Sequence, residues 1–554
     1  MKSQKIRHGA LALVSLVAAA PAAHAAVVIS DAATKHMSCS AGVCSPTAKN
    51  AVLNAGDLAT MLAASDVKVT TGAGAVAIGV SAPVTWTSAN RLTLDSNQGV
   101  AVKAAVVSEG IGGLTVTLND GGTGGDLTFF PGASISFWDN ASSLVVDGNS
   151  YTLVSDIATL AADIAAAPSG FYALAKDYDA TADGTYTNAP VPTILTGTFE
   201  GLGHTIADLS IAPAAGAVSH VGLFTETDGT ARDIALANAN LVCGSTTGAA
   251  GLLAGVNKGD LIAVSVAGHI GCIKGSEVGG IAGMSDQPGM IVHATAAIAI
   301  DGTQAEFGGI AGGNSGTISS ASVSGTATGG LHAIAGGIAG VNGALIEDSH
   351  SSVALDVPKG ADVGGIAGYL DGTIERCSAT GNIRAKNVAG GLVGVSFVGV
   401  VDASFATGSV RAVRYAGGLL GWDNGVTNVS NSYAKGAAKV GPAAGNYAGG
   451  LVGRFENGNS VKTSWSSGAV SGGVVGGLLG YVQNATATDG YWNLDTSGVS
   501  NPADGAGNQA SFAGISGLTT AQFQSALPSG FDPAIWGQSG AINNGFPYLL
   551  ANPP

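Results

Sequence analysis

The feature that most constrains this chain is a short glycine phrase that returns at a near-fixed interval. It reads VGGIAG at 278–283, AGGIAG at 335–340, VGGIAG at 363–368, AGGLVG at 389–394, AGGLLG at 416–421, AGGLVG at 448–453 and VGGLLG at 475–480. Looser copies are FGGIAG at 307–312, AGLLAG at 250–255 and VGLF at 221–224. The aliphatic residue inside the phrase recurs every 26 to 32 residues, from Leu223 through Ile281, Ile338 and Leu392 to Leu478. Ten copies at such a period predict a repeat architecture. Each unit carries a second phrase, such as GTISSASVSG at 316–325, GTIERCSATG at 372–381 or GVVDASFATG at 399–408. In both phrases aliphatics alternate with small polar residues, the period of a strand, and glycines are expected to mark the corners. A unit this short cannot bury its own apolar side, but stacked coil on coil it can. The 87 glycines fit many close backbone approaches. Ten coils at about 4.8 Å each predict a rod of roughly 50 Å, and the handedness of parallel crossovers favours a right-handed parallel β-helix.

The flanking segments differ in texture. Residues 26–150 hold short alternating runs, including VKVTTG at 67–72, LTVTLNDGG at 114–122 and SISFW at 134–138, which predict a strand-rich β-helical region. A helix is expected at 54–66, capping the start of the stack. Residues 151–215 form a junction whose clearest element is a helix at 155–168, capped by Ser155, with Ile157, Leu160 and Ile164 on one face and Pro168 as its stop. The repeat region spans 216–487. Residues 488–554, with a short helix expected at 519–527 and aromatics Phe531, Trp536, Phe546 and Tyr548, are expected to cap the open end, where unpaired strand edges would otherwise be exposed.

Residues 1–25 have the form of a Sec-type signal peptide: Lys2, Lys5 and Arg7, then an apolar run, then Ala23-His24-Ala25. Its removal leaves 19 basic and 37 acidic residues, a formal charge of −18. That balance argues against nucleic acid and anionic membrane as partners, both of which call for clustered basic residues. No later stretch has the roughly 18 uninterrupted apolar residues of a membrane-spanning segment. Five cysteines in an exported chain predict disulfides. Cys39 and Cys44 would close a local loop. Cys243 and Cys272 stand one repeat apart and would be neighbours in adjacent coils, leaving Cys377 over.

The glycine phrases resemble GLUG repeats, found in bacterial surface and secreted proteins. FEGLGHTIADLSI at 199–211, VGLFTE at 221–226 and YWNLDTSG at 491–498 are similar to the leader and trailer phrases of such arrays. NAVLNAGDLATMLAASDVKVTTG at 50–72 and LTLDSNQGVAVKAAV at 92–106 resemble the β-helical parts of filamentous-haemagglutinin-type adhesins. The resemblance implies an exported adhesin-type β-solenoid with about ten GLUG-type coils, secreted or on the bacterial cell surface. The expected partner is a host or cell-surface glycan or protein; a further expectation is a passenger of a larger matrix or surface system, secreted by a partner in the outer membrane. The resemblance does not imply a peptidase, because no His-Glu-x-x-His motif occurs.

Three constellations carry chemistry. Glu347, Glu375 and Asp402 share one repeat position, two before the Ser or Cys of the second phrase. In register their carboxylates would stand about 5 Å apart, which suits a calcium site or the acid pair of a retaining glycosidase. A solvated face of stacked like residues accounts for the same pattern. Phe405, Tyr433 and Trp465 each lie three residues before the closing glycine of their phrase, with His350 in register upstream. Stacked, they would form either a platform for sugar rings or a structural ladder. GGTGGDLTF at 121–129 approaches a calcium-binding nonapeptide but occurs once and reads as a turn. The expectation is therefore an all-β, non-enzymatic attachment protein without a resident cofactor beyond a possible Ca2+. The competing expectation is a glycan-binding or polysaccharide-cleaving β-helix.

Overall fold

The computed structural model describes residues 26–72, 76–213, 220–243, 248–272, 277–302 and 306–554. The segment expected to be a signal peptide, residues 1–25, lies outside them. Among the described residues the chain is a right-handed parallel β-solenoid of about 17 turns with three short α-helices. The turns beyond the ten counted from glycine phrases come from segments whose strands carry no such phrase. Contacts divide the chain into two compact units, one running to Ser134 with Ser142–Ser150, the other comprising Ile135–Ala141 and Tyr151–Pro554.

In the first unit, strands Ala26–Ser30, Ala51–Asn54, Ala77–Val80, Val100–Val102 and Leu127–Phe129 form one parallel sheet. Val43–Pro46, Val67–Thr70, Arg91–Asp95, Gly113–Thr117 and Ser143–Val146 form a second row. Alternation drives this: Leu92 and Leu94, or Leu114 and Val116, are fully buried with Thr93 and Thr115 between them less so. Cys39 and Cys44 face each other across an antiparallel hairpin and are disulfide-bonded. Helix α1, Ala55–Ala64, starts where the Asn54 side chain accepts from the Gly56 and Asp57 amides, and it buries Leu58 and Leu62.

Early in the second unit lies α2, Ile157–Ala166, which buries Ile157, Leu160 and Ile164. Its cap is Asp156, whose carboxylate accepts from the Thr159 amide; Ser155 instead donates to Asn140. One coil shows the plan of the array. Asp362–Gly364, Ala367–Leu370, Thr373–Glu375, Ser378–Ala379 and Ile383–Ala385 are successive strands, each paired in parallel with its counterpart one repeat on. The strands of the glycine phrase form their own ten-stranded sheet, from His220–Val221 to Val474–Gly476. Every inward aliphatic of the array, Leu223 to Leu478, is fully buried.

The phrase glycines are not the corners. None of them in this coil has a positive φ; they allow close approach. A Cβ on Gly364 would stand 2.0 Å from the Ala367 carbonyl oxygen, and one on Gly365 would stand 2.1 Å from the Gly391 oxygen of the next coil. The left-handed corner falls in the second phrase and is mostly non-glycine: Ala263, His293, Ser320, Asp348, Arg376, Ala403, Asn431 and Thr463 have φ between 43° and 55°. Cys243 and Cys272 are direct register partners on adjacent coils, 4.6 Å apart at Cα, and are disulfide-bonded.

The end of the chain departs from expectation. The coil runs on past 488: Thr486–Asn493 pairs with Ser460–Ser466, and Ile515–Leu518 pairs with it in turn. Trp492, fully buried, supplies the inward bulk there. Beyond it, α3, Thr520–Ser525, and the strands Trp536–Gly537 and Tyr548–Leu549 fold back along the side of the stack. Asn552 donates to the carbonyl oxygens of Cys377 and Ala403, 175 and 149 residues earlier in the chain.

Candidate functional site

Glu347, Glu375 and Asp402 are brought into register on three successive coils. The next residue of the middle coil decides what they do. Arg376 sits at a left-handed corner, and its guanidinium reaches back across the coil above. It donates to Glu347 at 2.8 Å, to Asp348 at 2.6 and 2.8 Å, and to Glu375. Chiefly through the hydrogen bond to Asp348, these anions raise its affinity for its proton. Asp402 is occupied by the Ser430 hydroxyl at 2.6 Å and the Asn431 amide at 2.9 Å. The cation paired with Glu347 and Glu375 is thus an arginine of the chain itself, and among the described residues no group of three or more His, Cys, Asp or Glu is placed to hold a metal ion. Of the glycine-rich stretch 121–129, Leu127–Phe129 is a strand, and the residues before it form a turn in which the Asn119 side chain bonds both the amide and the carbonyl of Gly125.

Behind the acidic row runs a row of small hydroxyls. Ser349, Ser404, Ser432 and Ser464 each donate to the carbonyl two residues back. All four also accept from the backbone amide of the preceding coil. Cys377 occupies the same position, its thiol bonded to the Glu375 carbonyl. Burial pushes that thiol up to about 12, so it is inert structure rather than a nucleophile.

Phe405, Tyr433 and Trp465 are also in register, their rings stacked at 4.8 Å with interplanar angles of 4° and 3°. Tyr491 continues the row, and His350 stands in it upstream, bonded to Ser378. The ladder is not a free platform. All three rings are at most 3% exposed, because the returning tail lies on them. Phe546 stacks on Trp465, Phe523 tilts against it, and Trp536 covers Tyr433. Lys435 ties the cover down through Asn543. Each buried aromatic of the tail contributes about 1.5–3 kcal/mol of burial, so the cover is a stable part of the fold.

A second aromatic group was legible in the sequence but not singled out: the residues flanking the glycine phrases. Tyr415 and Tyr447 precede the phrase and are in register. Tyr369, Val395, Trp422, Arg454 and Tyr481 follow it and are in register too. On adjacent coils they form a lateral cluster. The Arg454 guanidinium lies 5.1–5.5 Å from the rings of Tyr415, Trp422 and Tyr481, donates to the Tyr415 hydroxyl at 2.6 Å and pairs with Glu456 at 2.9 Å. Trp422, Tyr447, Arg454 and Tyr481 are only half-buried. The signal that marks them is position relative to the repeat rather than residue type.

A family model described as the GLUG motif matches residues 360–384, the coil that carries Glu375 and Arg376. Its strands stand in register with those of the coils on either side. No curated protein matches the chain. The chain is a β-solenoid with a match to the GLUG motif in one of its coils, and among the described residues no helix is long and apolar enough to cross a membrane.

Proposed function

We propose that this chain is an exported, non-enzymatic adhesin or surface-structure protein that attaches to its partner through the lateral face of the solenoid. The observation that carries this is the internal use of both constellations suited to chemistry. In the acidic row Glu347 and Glu375 pair with Arg376 and Asp402 is bonded to Ser430 and Asn431, and the aromatic ladder lies under the chain's own tail. What remains for a partner is the outer wall of the coils. Export would use residues 1–25 as a Sec signal, with an outer-membrane secretion partner where a second membrane intervenes.

The test uses the mature chain on beads. Beads are expected to attach to cell surfaces, and the same protein is expected to release no reducing sugar from a panel of polysaccharides. Sugar release that disappears in Glu375→Gln would overturn the non-enzymatic reading in favour of a polysaccharide-cleaving β-helix.

A further inference from the structure

The positive charge of this acidic protein is gathered in one part of its wall. Nine of the 22 Lys and Arg residues lie within 376–462, against three acidic residues there, in a chain of formal charge −15. Two of those acids, Asp423 and Glu456, are buried, and the third, Asp402, is hydrogen-bonded to Ser430 and Asn431. Arg376 is paired with Glu347, Asp348 and Glu375, and Arg454 with Glu456, so the basic charge of this sector rests on the other seven residues.

That charge is also ordered. Arg384, Arg411 and Lys439 are register partners on three successive coils, and all three are exposed. Strand spacing sets their Cα atoms about 4.8 Å apart along the stack. One coil earlier the same row holds Asp356, which meets Arg384 at 3.5 Å with both side chains more than half exposed. Arg411 and Lys439 have no acidic partner among the described residues. Like charges held at strand spacing repel one another, and an anion lying along the row relieves that repulsion. Around the next corner of the same coil is the aromatic cluster. Exposed Arg414 donates to the Tyr415 hydroxyl at 3.3 Å and so joins the basic row to the half-buried rings.

We infer that this sector is the attachment site and that its ligand is an anionic polysaccharide, a polymer with carboxylate or sulfate groups on its sugar rings. The inference rests on the attachment function proposed above and names its ligand. The polymer lies along the stacking direction, with successive anionic groups on Arg384, Arg411 and Lys439. Guanidinium forks suit carboxylate and sulfate geometry. The apolar faces of the sugar rings pack on Trp422, Tyr447 and Tyr481, whose flat surfaces lose little conformational freedom on contact. A nucleic acid fits less well. Non-specific binding of nucleic acid draws essentially on phosphate contacts alone, of which this row offers three, and the remaining wall is acidic.

Polygalacturonate is the probe, with dextran as the neutral polymer and single-stranded DNA as the competing polyanion. Binding is measured by calorimetry at low and physiological salt. The full mature chain is expected to bind polygalacturonate, to ignore dextran, and to weaken as salt rises. The triple variant Arg384→Gln, Arg411→Gln, Lys439→Gln is expected to lose about tenfold or more in affinity with its unfolding midpoint retained. A variant of equal charge change elsewhere, Lys35→Gln, Lys49→Gln, Lys103→Gln, is expected to bind as the parent does. Trp422→Ala is expected to weaken binding without changing its salt dependence. Equal affinity in the triple variant, or tighter binding of DNA than of polygalacturonate, would overturn the inference. Cell attachment that persists without polygalacturonate binding would sink this ligand but leave the adhesin reading standing. Polygalacturonate binding without cell attachment would do the reverse.

Discussion

Asp423 shows how much one side chain can depart from its row. In earlier coils the corresponding inward position holds Asn257, Ser285, Asn314 and Asn342, neutral groups that bond along the stack, as Asn314 does to Asn342 at 2.7 Å. Asp423 follows Ser396 in that row, fully buried, accepting from the Gly425 amide at 3.0 Å. Burial raises its carboxyl to about 7, and hydrogen bonds from Gly425, Thr427 and Asn459 offset this only in part. Because the folded state holds this proton more tightly than the unfolded chain, the group's contribution to stability is full below the ordinary carboxylate range near 4. It is lost as pH rises towards and through about 7. Glu277, raised to about 7 mainly by burial, and Asp362, raised to about 6 by burial, act in the same direction. Chemical denaturation from pH 4 to 8 is expected to show stability falling across that window. Asp423→Asn is expected to be more stable than the parent at pH 8 and to flatten the profile; an unchanged slope would count against the buried carboxylate as its source.

At the scale of the repeat element, the glycine phrase and the corner have separate roles. Glycine lets coils approach where a Cβ would strike backbone, whereas the left-handed corner is held by whatever residue the second phrase supplies. L-residues with side chains disfavour that conformation by about 1–2 kcal/mol, and glycine relieves this at some entropic cost in the unfolded chain. Ala263 is exposed with φ 53°. Ala263→Gly is therefore expected to stabilise the protein by about 0.5–1 kcal/mol, read as a higher denaturation midpoint. A lower midpoint would show that neighbouring coils, not local sterics, set the corner. Arg376 gives such a corner a second use, since the left-handed turn aims its guanidinium at three carboxylates.

At the scale of the molecule, the tail is the element that changes the meaning of the others. Phe523, Phe531, Trp536 and Phe546 form one apolar cluster with Phe405, Tyr433, Trp465 and Tyr491. A chain ending at Leu518 is expected to keep its β-type circular dichroism, since the coils pair independently of the tail. It is also expected to bind a hydrophobic dye and to associate, because a contiguous ladder of aromatic rings is uncovered. Dye binding equal to the full chain's would show that the tail leaves the ladder open in solution.

What the amino-acid sequence determined by itself was everything periodic. The coil, its inward aliphatics, the register of Glu347 with Glu375 and Asp402, and the pairing of Cys243 with Cys272 all derive from a repeat, because a constant step places like positions at strand spacing. The α2 helix was equally legible from its one apolar face, while its cap, one residue off, depended on backbone geometry. What only the tertiary structure decided were the contacts that break the period. Arg376 interposes itself in the acidic row because its corner is left-handed. Residues 519–552 fold back over the ladder, since their own aromatics and the ladder's leave water together there. The basic sector at Arg384, Arg411 and Lys439 emerged only once buried Asp423 and Glu456 were set apart from the surface. Net charge sums over residues, and a partner meets only those that face it.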